Sequence, residues 1–154
     1  MSLLEELDSD LKAAMLARDE DRKRTLRSVK TAAANALVDK RTTEGMTAVL
    51  NDEEVLKVIA KQASQRRDSI AEFSKAGRID LVAPEQAELA ILQEYLPKQL
   101  GPDEVSAIVQ QVIAETGASS AKDMGLVMRT AMARLQGLAD GKQVNQLVRE
   151  LLGA

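Results

Sequence analysis

Five basic side chains between residues 120 and 149 are the group in this sequence best suited to binding chemistry. Asp123 and Asp140 are the only acids in that stretch, so it has a local excess of +3 in a chain whose net charge is −3. The five cations are Lys122, Arg129, Arg134, Lys142 and Arg149. Because Lys and Arg side chains bind phosphate oxygens, they predict a local nucleic-acid contact, whereas the acidic net charge argues against indiscriminate binding.

A second group of cations lies nearer the amino terminus. From Arg22 to Lys30 there are five basic residues and no acid, and Lys23, Arg27 and Lys30 share one side of a predicted helix. The next predicted helix adds Lys57, Lys61, Arg66 and Arg67. Two neighbouring helices would then present one phosphate-binding face. The alternative, favoured by the nearby Glu and Asp residues, is a solvated surface of ion pairs.

Glycines interrupt the cationic stretch. The residues that predict turns are Gly125, Gly137, Asp140 and Gly141, with Asp140 also suited to cap the last helix. Glycine has no side chain, so it permits close approach of the backbone to another helix or to a sugar–phosphate backbone. Helix packing and helix C-caps explain these glycines more simply.

Other residue combinations point to catalysis or metal binding only weakly. Ser119 and Lys122 have the Ser-x-x-Lys spacing of some acyl-transfer enzymes, but Ser120 with Asp123 also fits a helix cap. The acidic triplets at 19–21 and 52–54 suit Mg²⁺ or Ca²⁺, yet both begin predicted helices, where acids are favoured anyway. With no His, no Cys and no phosphate loop, we predict no catalytic residue, no metal site and no cofactor.

The elements that position these residues are predicted to be helices. The chain is 45% hydrophobic, 29% charged and 1% aromatic, a composition typical of all-α proteins, and its apolar residues recur at helical spacing. We expect seven helices. The first ends near Arg18, the second runs from about Asp21 to a loop at 42–47, and the third runs from Asn51 to Gly77. The fourth runs from Asp80 or Ala83 to Pro97, the fifth from Pro102 to Gly117, and the last two start at Ser120 and Asp140. We expect Pro84 in the first turn of the fourth helix and Leu151 on the buried face of the last.

The segment from Pro97 to Pro102 is the best candidate for a boundary. It holds two of the three prolines and a glycine, residues that interrupt helices. We therefore expect a larger N-terminal helical lobe over residues 1–100 and a small C-terminal lobe of three helices over residues 101–154.

Location and base recognition follow from what the chain lacks. Its first residues show no basic segment followed by an apolar one, and no apolar run approaches the roughly 20 residues that span a bilayer, so we expect a soluble cytoplasmic protein that does not bind membranes.

Phe73 and Tyr95 are its only aromatic residues, too few for a platform that stacks unpaired bases. Any RNA contact is expected to read shape and backbone.

Four stretches together resemble the GatB/YqeY family. In chain order they are EFSKAGRIDLV, ELAILQEYLPKQL, VIAETGASSAKDMGLVM and GLADGKQVNQLVRELL, so the resemblance covers essentially the whole chain. The combination of Tyr-Leu-Pro, Asp-Met-Gly and Gly-x-Ala-Asp-Gly makes it specific. The resemblance implies an all-α fold with a larger N-terminal lobe and a smaller three-helix C-terminal lobe.

The family resemblance also implies a function. Similar domains form the tail of the B subunit of the tRNA-dependent amidotransferase and appendages of some glutaminyl-tRNA synthetases, where they help to hold tRNA. It therefore implies tRNA as a partner, and with it an aminoacyl-tRNA synthetase or amidotransferase. This chain resembles only the tail, without the catalytic cradle, so we expect no autonomous carbon–nitrogen ligase activity with glutamine as amido donor.

Two other functions stay open. A helical adaptor would bind a partner protein through Met124, Met128 and Met132, which are four residues apart on one helix face, although core packing is the commoner use of such methionines. An enzyme would need unconventional Ser, Lys or carboxylate chemistry in glutamine-dependent amide formation. The sequence leaves the oligomeric state and the identity of the tRNA open.

Overall fold

The computed structural model describes residues 1–135 and 137–153, and in that part the chain is all-α with no strand. Seven α-helices are present there: α1 Leu3–Ala17, α2 Glu20–Glu44, α3 Asp52–Lys75, α4 Ile79–Gln93, α5 Pro102–Thr116, α6 Met124–Arg134 and α7 Gly141–Leu152. A short 3-10 turn, Ala121–Asp123, leads into α6. The predicted fold class is confirmed. None of the helices in the described ranges is both long enough and apolar enough to cross a bilayer.

The chain divides into two compact units, the first over Met1–Leu96 and the second from Pro97 onward. In the first unit, α1 to α4 each turn an apolar stripe inward, as their 3.6-residue spacing predicts. The shared core consists of Leu7, Leu26, Val29, Val55, Ile59, Ala63, Leu92 and Leu96.

Side-chain caps define the helix starts in the first unit. Ser2 and Glu5 form a reciprocal capping box at α1, with N···O distances of 2.9 and 3.2 Å, and Asn51 with Glu54 forms another at α3, at 2.9 and 2.8 Å. Each box satisfies backbone N–H groups that have no partner within the helix. The helix start that the sequence predicts at Asn51 is confirmed.

The predicted loop at 42–47 is wrong over its first half, because α2 continues to Glu44. The Thr42 hydroxyl donates to the Asp39 carbonyl at 2.6 Å and the Thr43 hydroxyl to the Lys40 carbonyl at 3.0 Å. Lys40 in turn donates to Glu54 at 2.7 Å, which holds this end of α2 to the start of α3. Tertiary pairing thus overrides the low helix propensity of the threonines.

The predicted bounds of α4 are also corrected. It starts at Ile79, so Pro84 lies inside the helix rather than in its first turn. It ends at Gln93 rather than at Pro97, and the backbone N–H groups of Glu94 and Leu96 each bond three residues back, at 3.2 Å. This tightening is expected because a residue before proline avoids the α conformation, so the helix unwinds earlier.

A buried carboxylate ties three helices of the first unit together. Glu88 on α4 is only 9% exposed. One of its oxygens accepts a hydrogen bond from Arg24 Nε on α2 at 2.8 Å, and the other accepts from Arg66 Nε on α3 at 2.7 Å. A charge removed from water in this way is stabilised only while both partners remain.

The second unit is built from α5, α6 and α7. Its core is Val105, Val109, Val112, Val127, Ala131, Leu135, Val144 and Val148. Leu151, expected to be buried, is 40% exposed, and Leu152 packs against the core instead. Leu151 and Leu152 are both spaced to lie on the side of α7 that carries Val144 and Val148, so helical spacing alone did not predict which of them would be covered.

We expect Glu88→Gln to lower the free energy of unfolding by about 2–3 kcal/mol, because Arg24 and Arg66 each lose a charged partner and only the more exposed Asp21 and the more distant Glu85 remain to them. The matched control is Glu85→Gln, whose carboxylate is 3.6 Å from the same Arg66 Nε. That half-solvated contact is worth about 1 kcal/mol or less. Urea unfolding followed by circular dichroism measures both variants, and equal losses would contradict the bridging role of Glu88.

Candidate nucleic-acid interface

Helix α7 exposes two cations and two amides along one face. Lys142, Asn145, Gln146 and Arg149 follow one another at spacings of three, one and three residues, so they share one side of the helix. With Gly141 they line a surface groove of about 310 Å³. We call these four side chains the α7 basic face. The opposite side of α7 carries the buried Val144 and Val148.

The turn before α7 fixes where this helix begins. The backbone N–H of Lys142 donates to the capping carboxylate of Asp140 at 3.2 Å, and Gly141 is the first helical residue. Gly137 has φ +72°, and a Cβ there would lie 3.3 Å from the Pro97 ring. A side chain is disfavoured at Gly137 by both its backbone conformation and its close neighbour. Gly137 and Asp140 are therefore turn residues.

Gly125 is not a turn residue, contrary to the prediction. It is the second residue of α6. A Cβ at Gly125 would lie 3.7 Å from the Arg129 guanidinium, one turn further along the helix. That is an ordinary van der Waals distance, so the conformation of Arg129, which lies back over the start of α6 as long helical side chains prefer, does not require a glycine at this position.

The remaining cations of the second unit differ in whether they pair with an acid of the same unit. Lys122 and Arg129 are exposed, in the 3-10 turn and on α6. Arg134 forms an ion pair with Glu115 at the end of α5. The hydrogen bond that Arg134 donates lowers the pKa of the Glu115 carboxyl below its usual range. Arg134 is thus committed within the unit, while Arg149 makes no ion pair in the described residues.

The Ser119–Lys122 segment has the contacts of a helix start. The backbone N–H groups of Ser119 and Ser120 both donate to Asp123 Oδ2, at 2.9 and 3.3 Å. Asp123 thereby satisfies two donors that precede α6. These bonds account for the spacing of Ser119 and Lys122 without a nucleophile.

Acidic residues of the second unit lie mainly on α5 and at the two ends of α7. Asp103, Glu104 and Glu115 are exposed on α5, Glu150 is exposed near the end of α7, and Asp140 caps its start. Charge is therefore segregated by helix face. An anion meets repulsion at α5 and at Glu150, and attraction on the side of α7 that carries Lys142 and Arg149.

The first-unit cations that were candidates for phosphate binding are mostly paired. Lys23 is 2.8 Å from Glu20, and Lys30 is 2.5 Å from Asp8. Arg27 is exposed and has no ion-pair partner within the described residues. This arrangement matches the ion-paired surface considered above as the alternative to a phosphate-binding face.

The acidic triplets and the methionines have structural surroundings. Asp19 caps α2, and the 52–54 triplet forms the first turn of α3. No group of acids in the described ranges is arranged to hold a metal ion. Met124, Met128 and Met132 are partly buried and pack against the core of the second unit, which leaves less of them for a partner protein.

Asn145 and Gln146 are the residues of this interface that sequence reasoning missed. They are uncharged and so do not stand out in a search for cations. The available signal was their position three and four residues after Lys142 and four and three before Arg149, which places all four on one helix face.

Comparison with known proteins identifies relatives along nearly the whole chain. A family model described as Yqey-like protein matches residues 4–152. A protein of Kluyveromyces lactis named altered inheritance of mitochondria protein 41, mitochondrial, is 43% identical over 112 residues, covering 71% of this chain and 57% of the relative. A protein of the same name from Pyrenophora tritici-repentis is 32% identical over 157 residues, covering 99% of this chain and 82% of the relative.

These relatives correct the predicted location. Their names describe mitochondrial proteins, so the prediction of a cytoplasmic protein is overturned. A polar surface around apolar cores suits any aqueous compartment, and composition therefore did not distinguish between compartments.

The Arg134–Glu115 pair predicts a pH dependence. The pKa of Glu115 is lower in the folded chain than the value of about 4.3 in an unfolded one. The pair therefore stabilises the fold above that unfolded value, and its contribution is lost as pH falls through the folded pKa. We expect Arg134→Gln to return the Glu115 pKa towards its ordinary value.

Carboxyl NMR titration of wild type and Arg134→Gln measures this pKa directly. Glu104→Gln, at an exposed acid of the same helix, serves as the control and is expected to leave the Glu115 titration in place. An identical Glu115 pKa in wild type and Arg134→Gln would show that the ion pair does not form in solution.

Proposed function

The chain belongs to the YqeY-like protein family, and from this membership we propose that it is a tRNA-associated accessory module without catalysis of its own. The proposal rests on its resemblance to the tail of the tRNA-dependent amidotransferase B subunit. It also rests on the charge segregation of the second unit. Since the chain spans 57% of the Kluyveromyces lactis relative, the activity of that whole protein is not transferred to it.

The observation that carries the proposal is the groove on α7. Lys142 and Arg149 stand at the two ends of the groove, with the amides of Asn145 and Gln146 between them. Cations bind phosphates, and amides offer both donors and acceptors to a sugar–phosphate backbone. The α7 basic face is therefore suited to contact an RNA backbone, with Lys122 and Arg129 as additional cations of the same unit.

The aromatic residues support recognition of shape rather than of unpaired bases. The Tyr95 hydroxyl donates to Asp10 at 2.5 Å, and Phe73 is only partly exposed. Neither offers a free ring face with a neighbouring aromatic on which successive bases stack. A folded tRNA is a better ligand for such a protein than an unstructured strand.

A helical protein-interaction adaptor is the second candidate. A groove of about 250 Å³ lies between α5 and α7, and its lining is half apolar, from Pro102, Val105 and Leu147, and half polar, from Gln143, Gln146 and Glu150. Leu126 on α6 is 45% exposed. These features suit docking on a protein such as an aminoacyl-tRNA synthetase or an amidotransferase, and a partner that survives nuclease treatment would favour this function.

We expect the double reversal Lys142→Glu/Arg149→Glu to weaken tRNA binding roughly tenfold or more at low salt, because two phosphate contacts become repulsive. The matched control is Lys12→Glu/Lys75→Glu, at two exposed cations of the first unit that belong to neither candidate face, and it makes the same charge change. Fluorescence anisotropy with folded tRNA and an unstructured RNA of the same length, over several salt concentrations, measures both variants.

The control distinguishes local contact from a net-charge effect. If binding is local, the first-unit control stays close to wild type and the α7 variant shows a shallower salt dependence, by about one unit of slope for each lost phosphate contact. Equal weakening of tRNA binding in both variants would show that the effect comes from net charge rather than from contacts of the α7 basic face. No tRNA binding by wild type at near-physiological salt would overturn the proposed function.

A further inference from the structure

Amides are concentrated on the outward side of α7. Gln143, Asn145 and Gln146 lie between Lys142 and Arg149. Asn145 makes no hydrogen bond within the described residues, and Gln146 Nε2 has only a long contact of 3.4 Å with Glu150 Oε1. Their donors and acceptors are thus available to a ligand, which plain phosphate binding would not need.

The spacing of these groups defines what they can span. Lys142 and Arg149 are seven residues apart, which is roughly 10 Å along a helix that rises about 1.5 Å per residue. The amides of Asn145 and Gln146 lie near the midpoint. A ligand that matches this face has anionic groups towards its edges and neutral hydrogen-bonding groups between them.

Double-helical RNA has this arrangement across its minor groove. In the A-form that groove is wide and shallow, is bordered by the phosphate backbones, and displays the ribose 2′-hydroxyls. A 2′-hydroxyl both donates and accepts hydrogen bonds, as an amide does. The cations would then contact phosphates, and the amides would contact hydroxyls.

The packing of α7 argues against the other nucleic-acid ligand that helical amides commonly bind, the major groove of DNA. Asn and Gln also read adenine in the major groove of DNA, but that groove is about 8.5 Å deep and requires a helix to enter it. Val144 and Val148 bury the other side of α7 in the core of the second unit. Because half of α7 is buried, the helix protrudes little from the second unit. It can therefore contact a shallow groove but cannot enter a deep one.

Resting on the proposed function, we propose that the α7 basic face binds a double-helical stem of RNA across its minor groove. Lys142 and Arg149 contact phosphates there, and Asn145 and Gln146 bond to 2′-hydroxyls. The ligand class is A-form RNA duplex, in preference to DNA duplex and to single-stranded RNA.

The test measures binding of the full chain to four ligands. Three are duplexes of about 16 base pairs and the same sequence, made of RNA, of DNA and of 2′-fluoro RNA, and the fourth is one strand of the RNA duplex alone. Roughly 16 base pairs is the length across which double-stranded RNA is recognised by shape. The 2′-fluoro duplex keeps A-form geometry but has no hydroxyl donor. We expect the RNA duplex to bind tightest, and the 2′-fluoro and DNA duplexes to bind roughly two- to tenfold more weakly for each lost hydrogen bond.

Protein variants test the same contacts from the other side. Asn145→Ala/Gln146→Ala is expected to bind the RNA and 2′-fluoro RNA duplexes equally, because only the amide contacts distinguish those two ligands, whereas Arg149→Ala is expected to weaken binding to both. Gln110→Ala/Gln111→Ala, at exposed amides on α5, is the matched control and is expected to keep the RNA preference. Alanine favours helix, so folding is expected to persist, and the 2′-fluoro comparison needs no variant at all.

The outcomes separate this inference from the proposed function. Equal binding of wild type to RNA, 2′-fluoro and DNA duplexes overturns the inference, as does tighter binding to the single strand. Binding to folded tRNA without binding to any duplex also overturns it, while the proposed function stands. Absence of binding to tRNA and to every duplex overturns both.

Discussion

Eight small side chains hold the second unit together, and six of them are valines. With no aromatic residue to fill space, the core closes only if α5, α6 and α7 each turn a narrow stripe inward. On α7 that stripe is Val144 and Val148, one turn apart, and burying both sets the rotation of the helix about its axis. The outward direction of Lys142, Asn145, Gln146 and Arg149 is a consequence of this constraint. The interface is therefore positioned by packing rather than by contacts of its own.

Local patterns accounted for most of the fold because they act over one helical turn. The capping boxes at Ser2 and Asn51 and the all-α class follow from residues within a few positions of each other. The failures lie where distant residues decide. The end of α2 depends on the pairing of Lys40 with Glu54, and Glu88 meets Arg24 across 64 residues. A pattern that extends over one or two helical turns contains only one partner of each such contact.

The candidate interface was predictable in charge but not in availability. The excess of cations between residues 120 and 149 is visible in the sequence, yet Arg134 is paired with Glu115, which is 19 residues away on another helix. Lys30 is likewise paired with Asp8 on α1. Asn145 and Gln146 escaped notice because a search for charge ignores amides. The tertiary structure sorts a set of similar cations into those that bind within the unit and those that face outward.

The RNA binding that we propose for this acidic chain requires that attraction be confined to one surface. At physiological ionic strength, charges are screened beyond about 8 Å, so a phosphate close to α7 responds to Lys142, Arg149 and the neighbouring Glu150, and only weakly to the acids of α5. The net charge of −3 then repels RNA that approaches in other orientations. This repulsion lowers the affinity for RNA bound non-specifically. A ligand is then favoured if its shape lets it contact several side chains of the α7 basic face at once. A rigid double-helical stem does so at less entropic cost than a flexible strand, which has to be ordered as it binds.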